Sequence, residues 1–449
     1  MHRSRQKRKR RDITPPKAHD QTEEESSEEE IDQASSLRRC FTPLSTAAKL
    51  QAVGEVEAGA TQDYWFHPGD DFEEVPLPNH RDDYLAQHKV RGQPFDKWRV
   101  INFTPVAPAK STIYLVPVGE FSAETQNLQF DFLEALKDFT SHFYLGMKVT
   151  LLPPVDLCFI KQENEEEEET LSAYLEYSPP ASSSLRRRKH RADIVARRAH
   201  EYDIEDALPD ARQLYIDSVC NFLVKIKPKD ARCLVGVTME DLYCSTDDSF
   251  TMGLAHSGRV GLFSFGRYHP GKVWKQSDLE ERERAERRKR RRRKGRPTKK
   301  QKQKAEEATA TKKQQELYVL LNRSCKVLVH ELGHLFGIGH CIFWNCCMNG
   351  SGHLEEDYRQ AMHLCPVDLH KLQHCLGFDV VERYRRMETF YRQHVDGFEE
   401  ELKWIQQRLC FLSEQQQQRK EGEGEEEEKD EKKKKGKEPS PTSKLIVLE

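Results

Sequence analysis

The sequence predicts an α/β protein in which a mixed, mostly parallel sheet packs against helices, one of them long and bearing a metal-binding motif, with a helical part after it. Three observations predict this. A strand, a helix and a second strand succeed one another between residues 111 and 152. The run Cys233-Leu234-Val235-Gly236-Val237-Thr238 has the short apolar character of a central strand. Leu317, Leu321, Leu328, Leu332 and Leu335 recur near helical spacing through a stretch that also holds three closely spaced histidines.

Taken in order, residues 1–35 are expected to be a disordered arm, basic at first and then acidic. From 36 to 105, Phe41, Trp65, Phe66, Phe72, Trp98 and Ile101 recur without a clear period, which suits an extension packed irregularly on the domain. The first strand spans 111–118. A helix over 121–139 follows, with Leu128, Phe132, Leu133 and Leu136 as its buried stripe, and a strand over 147–152 ends at Pro153-Pro154. Charge runs make 163–198 a charged insertion. A helix then reaches about residue 225, with Leu214, Val219 and Leu223 facing the core.

After the central strand, 241–243 reads as a loop, and 251–255 and 259–265 as two short strands. A second charged insertion covers 271–311 and contains the densest basic block, at 287–300. The motif-bearing helix is expected over 315–336. Helices over 367–376 and 380–402 follow, with Trp404, Leu409 and Phe411 closing a domain that runs from 36 to 412. Residues 413–449, poor in apolar side chains, are expected to be a disordered tail.

Composition limits the function. Of 449 residues, 36% are hydrophobic and 33% charged, and the net charge of -3 conceals blocks of opposite sign. No apolar run is long enough to span a bilayer, and the basic N-terminus lacks the apolar segment of a secretory signal. Five of the twelve cysteines crowd into 341–375 beside histidines, which suits metal binding in a reducing compartment, cytoplasmic or nuclear, better than a disulfide framework.

The chemistry concentrates in His330-Glu331-Leu332-Gly333-His334-Leu335-Phe336-Gly337-Ile338-Gly339-His340. Residues four apart share a helix face, so His330 and His334 converge on one metal while Glu331 sits one step round. Gly337 and Gly339 suit a sharp change of direction that returns His340 beneath the metal. Three neutral imidazoles hold zinc and leave a position open for water, and Glu331 is placed to accept that water's proton.

This string, HExxHxxGxxHC followed by Cys346-Cys347-Met348, resembles the metzincins and specifically the archaemetzincins, nearer to type 1 than to type 2. The resemblance implies a zincin-like fold, a zinc-dependent peptidase and two Zn2+ per chain. It assigns Met348 to a turn beneath the histidines and Cys341, Cys346 and Cys365 to a second zinc. The family's fourth cysteine position is Asp368 here. Carboxylate oxygen is an acceptable zinc ligand, and His370, His374, Cys375 and Cys347 remain alternatives.

The expected activity is hydrolysis of peptide bonds in a peptide or protein substrate by a monomer, with no membrane partner. A strand before the motif helix, either 251–255 or 261–265, is the expected shelf for an extended substrate. Two other readings stand beside it. One is a catalytically silent zinc scaffold; the other is a polybasic binder of anionic polymers through 287–300, where nucleic-acid contact is not expected to be primary.

Overall fold

A computed structural model describes residues 41–55, 63–121, 125, 130–163, 169–179, 189–198, 211–245, 250–256, 258–272, 280–285, 287–288 and 298–435. The N-terminal part holds α1 (Thr46–Val53), α2 (Tyr84–Gln87) and α3 (Phe95–Ile101). Next come β1 (Thr112–Pro117), α4 (Phe132–Phe143), β2 (Lys148–Leu151), β3 (Asp156–Glu163), β4 (Glu169–Tyr177), β5 (His190–Arg198), β6 (Arg212–Tyr215) and α5 (Ile216–Ile226). They are followed by β7 (Ala231–Thr238), β8 (Asp241–Tyr243), β9 (Gly253–His256) and β10 (Val260–Ser264). The C-terminal part is helical: α6 (Lys299–Leu335), α7 (Leu354–Arg359), α8 (Pro366–Leu376), α9 (Val380–Gln393) and α10 (Val395–Lys435).

The main sheet has the order β2-β1-β7-β10-β9, parallel throughout except for β9, which runs antiparallel at the edge. All eight residues of β7 are buried, as a strand covered on both faces requires. Cys233, Val235 and Val237 face a core shared with Phe139 of α4, Leu328 of α6 and Phe390 of α9. Leu234 faces the other way, into a second core with Val219 and Leu223 of α5. Asp131 caps α4 by accepting from Leu133 N and Glu134 N, so the apolar stripe of that helix starts in register against the sheet.

The expected mixed, mostly parallel sheet packed against helices is therefore present, but beside it lies a second sheet, β3-β4-β5-β6-β8, which is mostly antiparallel. Two of its strands, β4 and β5, occupy the expected charged insertion at 163–198, and a third, β8, occupies the expected loop at 241–243. In β4, Ala173, Leu175 and Tyr177 alternate inward with period two, while the charge runs flanking the strand mask that signal.

Helix α6 is longer than the expected 315–336. Thr298 and Gln301 form a reciprocal capping box that starts it 16 residues earlier, inside the expected insertion, and its 37 residues span about 55 Å. Lys299 to Lys313 are exposed, and burial begins in earnest at Leu317. The expected disordered tail also starts later, since α10 continues to Lys435. Its Gln, Glu and Lys residues are poor core formers but good helix formers, with Gln417 bonding to Glu421 one turn on. The arm at 1–35 and most of the basic block at 287–300 lie outside the described residues. Among the described residues no helix is long and apolar enough to cross a membrane.

Candidate active site and second metal cluster

Helix α6 delivers His330 and His334 one turn apart and then stops in a Schellman turn. Ile338 N bonds to Gly333 O at 3.1 Å and Gly337 N to His334 O at 2.9 Å, with Gly337 at φ +81. A Cβ on Gly337 would meet the Asn102 carbonyl oxygen at 2.8 Å, so glycine is required there for space as well as for φ. The turn sends His340 back toward the other two, and one ring nitrogen from each of the three lies within 4.8 Å of the others.

Each imidazole has its Nδ1–H fixed from outside. His330 donates to Cys347 O at 2.6 Å, His334 to Ile338 O at 2.8 Å and His340 to the Tyr84 hydroxyl at 2.7 Å. Those bonds leave the Nε2 lone pairs turned inward. The Nε2 atoms of His330 and His334 are 3.1 Å apart, close to the roughly 3.3 Å expected of two ligands on one tetrahedral zinc. Two such lone pairs repel unless a cation lies between them, so the donor set fits zinc.

Burial keeps all three rings neutral at pH 7: His330 falls well below its ordinary value with His334 and His340 adding, His334 falls, and His340 falls to about 4. Glu331 is half-buried next to His330. Burial, then the charge of Asp357, pushes its carboxyl up to about 8. Asp357 is the acidic residue of α7 that reaches this site, and it bonds to Tyr268. Beneath the site Met348 is fully buried, and its Sδ lies 2.6 Å from where a Cβ on Gly333 would stand.

Cys341, Cys346, Cys365 and Asp368 form a second, separate cluster whose ligand atoms also lie within 4.8 Å of one another. Cys341 Sγ and Cys365 Sγ are 3.5 Å apart, and Asp368 Oδ2 is 3.4 Å from Cys346 Sγ and 3.5 Å from Cys365 Sγ. The other oxygen of Asp368 accepts from Lys371 Nζ at 2.8 Å, with both side chains at most 1% exposed. Burial pushes the Cys341 thiol up to about 12 and Cys346 up to about 11, so thiolates form here with a cation to compensate them. Three sulfurs and one carboxylate oxygen around one point fit a closed, four-ligand zinc site.

The alternative fourth ligands stand elsewhere. His370 donates to Val53 O at 2.7 Å and is stacked on Phe95 at 3.6 Å, and His374 packs against Phe95 and Phe103. Neither these nor Cys347 and Cys375 belong to the cluster. Of the two expected substrate shelves, 261–265 is ruled out because β10 lies between β7 and β9; the edge strand is β9.

Tyr84 was not found in the sequence. It reaches His340 across 256 residues, with no periodic or motif signal to announce it. The segment carrying it is clasped to α7: Tyr84 N and Gly352 N donate to Glu356, while Asp83 accepts from His353 and Arg359. Asp83, His353 and Glu356 come close enough to suggest a third metal group, but both oxygens of Asp83 and Oε2 of Glu356 already accept from protein donors.

Three inward-facing imidazoles, an adjoining glutamate on the same helix and a closed cysteine cluster beside them define a zinc metallopeptidase of the metzincin kind. Comparisons of the sequence with known proteins agree. The pattern of Peptidase family M54 matches residues 307–374. The chain is 30% identical to archaemetzincin-2 of Rattus norvegicus over 341 residues, covering 76% of each, and 35% identical to archaemetzincin-1 of Homo sapiens over 188 residues, 40% of this chain and 34% of that one. The crystal structure of an archaemetzincin from Methanopyrus kandleri matches with 19% identity and a TM-score of 0.33, over 60% of this chain and 98% of that one. The chain belongs to the archaemetzincin family of zinc metallopeptidases.

Proposed function

We propose that the chain hydrolyses peptide bonds with Glu331 as the general base. Zinc held by His330, His334 and His340 would supply a Lewis acid that polarises the scissile carbonyl and eases deprotonation of water. Glu331 accepts the proton of the attacking water and later gives it to the leaving amine. The observation that carries this role is the placement of its carboxyl: Glu331 follows His330 directly on the same helix and is half-buried beside the point where the three imidazoles converge, within reach of a water there. The free edge of β9 would align an extended substrate by backbone pairing.

The test is Glu331→Gln, read by peptide turnover and zinc content together. Turnover should fall by about a thousandfold or more with zinc unchanged. Activity that survives in that variant counts against the assignment. The expected nearness to type 1 divides the comparisons, with higher identity to type 1 over 188 residues and a longer alignment, 341 residues, to type 2, so the reading is made for the family rather than for either type. A reducing compartment, cytoplasm or nucleus, goes with it because the three thiolates of the second cluster must stay unoxidised.

A further inference from the structure

A cavity of about 350 Å3 adjoins the catalytic helix where it ends, lined among others by His334, Gly337, the β9 residues Ala255 and His256, and Arg232 and Arg259. None of its lining residues is acidic. Arg232 is buried and donates to Thr104 O at 3.0 Å and Pro105 O at 3.1 Å, which fixes the guanidinium without neutralising it. Arg259 sits in the turn between β9 and β10 at φ +59, a region costly for any residue with a side chain, and its Nη1 is buried without an acceptor among the described residues. Neither arginine has an ion pair among the described residues.

The surroundings add charge of the same sign. Lys227 Nζ donates to Gly258 O in the same turn. Burial and then Lys110 hold Lys227 below its ordinary value, with Arg259 adding to them; burial and then Arg259 do the same for Arg232. The carboxylate of Asp217 stands 3.9 Å from His256. A peptide lying along β9 past His334 would run into this concentration of unpaired positive charge, in a recess where charges are screened less than on open surface.

We propose that the cavity is a subsite of the substrate cleft that takes a carboxylate of the peptide, either an acidic side chain or the terminal carboxyl group. It rests on the peptidase reading. Arg259 is the residue that sets the preference, since its guanidinium is not committed to the backbone as that of Arg232 is.

The experiment uses the full, zinc-loaded chain as the Glu331→Gln variant, so that peptides bind without being consumed. Three pools of short fluorescent peptides are compared by anisotropy: acidic with an amidated end, neutral with a free terminal carboxyl, and neutral with an amidated end. At least one of the first two should bind about tenfold tighter than the third, and which one does so identifies the source of the carboxylate. The advantage should disappear in Arg259→Gly, which suits the positive φ and keeps the turn, and become a disadvantage against the neutral amidated pool in Arg259→Glu. Equal binding of the three pools, no binding of any, or an advantage that survives Arg259→Glu overturns the proposal. Turnover of the same pools by the unsubstituted chain separates the two ideas: cleavage without carboxylate preference sinks the subsite alone, and preference in binding without cleavage of any pool removes the peptidase reading and with it the cavity's place in a substrate cleft.

Discussion

The histidine cluster and the cysteine cluster share one stretch of chain, His340 being followed directly by Cys341, yet they are built on opposite plans. Cys341, Cys346, Cys365 and Asp368 are at most 3% exposed, supply four ligand atoms and close on themselves, with Lys371 offsetting charge from within the same helix. His330, His334 and His340 supply three, and His334 and His340 are only half-buried. A site that keeps one corner free cannot hold its ligands by a full coordination shell. Its geometry is borrowed instead from Cys347 O, Ile338 O and the Tyr84 hydroxyl. The first of those acceptors, Cys347 O, lies in the loop that the cysteine cluster pins, so the closed site steadies the open one.

The sharpest way to break this contrast is to truncate one ligand in each cluster. Asp368→Ala removes a ligand and strands the Lys371 ammonium, 1% exposed, without a counter-charge and with only the Gln93 side-chain oxygen left to accept from it at 3.1 Å; the cost should be about 3–5 kcal/mol of folding stability. His334→Ala should abolish activity and first-site zinc while costing clearly less, because its ring is half-buried and leaves no unpaired charge. Denaturant unfolding with zinc counts on both variants decides the matter: equal losses of stability would erase the distinction between a closed structural site and an open catalytic one. Pairing Asp368→Cys with Lys371→Met should restore most of the loss, since thiolate replaces carboxylate and the buried cation goes with it.

What could be read from the sequence follows from how local each feature is. His330, His334 and His340 fall within one helix and one turn, so spacing alone carries the site. Cys341, Cys346 and Cys365 needed the family resemblance, and Asp368 was open until its oxygen was seen 3.4 Å from Cys346 Sγ. The central strand β7 was legible because every residue of it is buried. The second sheet was not: the inward residues of β5 alternate as Ala192, Ile194 and Ala196, but two of them are alanines and only Ile194 is buried outright, so the apolar signal is weak beside the flanking charge. Tyr84 and Arg259 were illegible for a further reason. Both act through contacts or a turn conformation that no run of neighbouring residues encodes.

Gly337→Ala is a smaller perturbation directed at the open cluster alone. It forces a side chain onto φ +81 and toward the Asn102 carbonyl at 2.8 Å, for a loss of about 1–2 kcal/mol. His340 should drift from its companions, so zinc counted by mass spectrometry should fall from two per chain toward one, with the cysteine site still filled. Loss of both ions together would mean that the turn serves the two clusters alike.

Tyr84→Phe tests the borrowing itself and should have the least effect on the fold, since the ring against Gly350 stays and only the hydroxyl that meets His340 Nδ1 is lost. First-site zinc affinity, measured by competition with a chelator, should weaken by about tenfold, with second-site affinity and unfolding midpoint unchanged. If the hydroxyl orients the ring as the 2.7 Å contact implies, the loss should appear in metal affinity before it appears in stability. Unchanged affinity would show that the Schellman turn at Gly337 holds His340 without help, and that the N-terminal extension covers the site rather than tuning it.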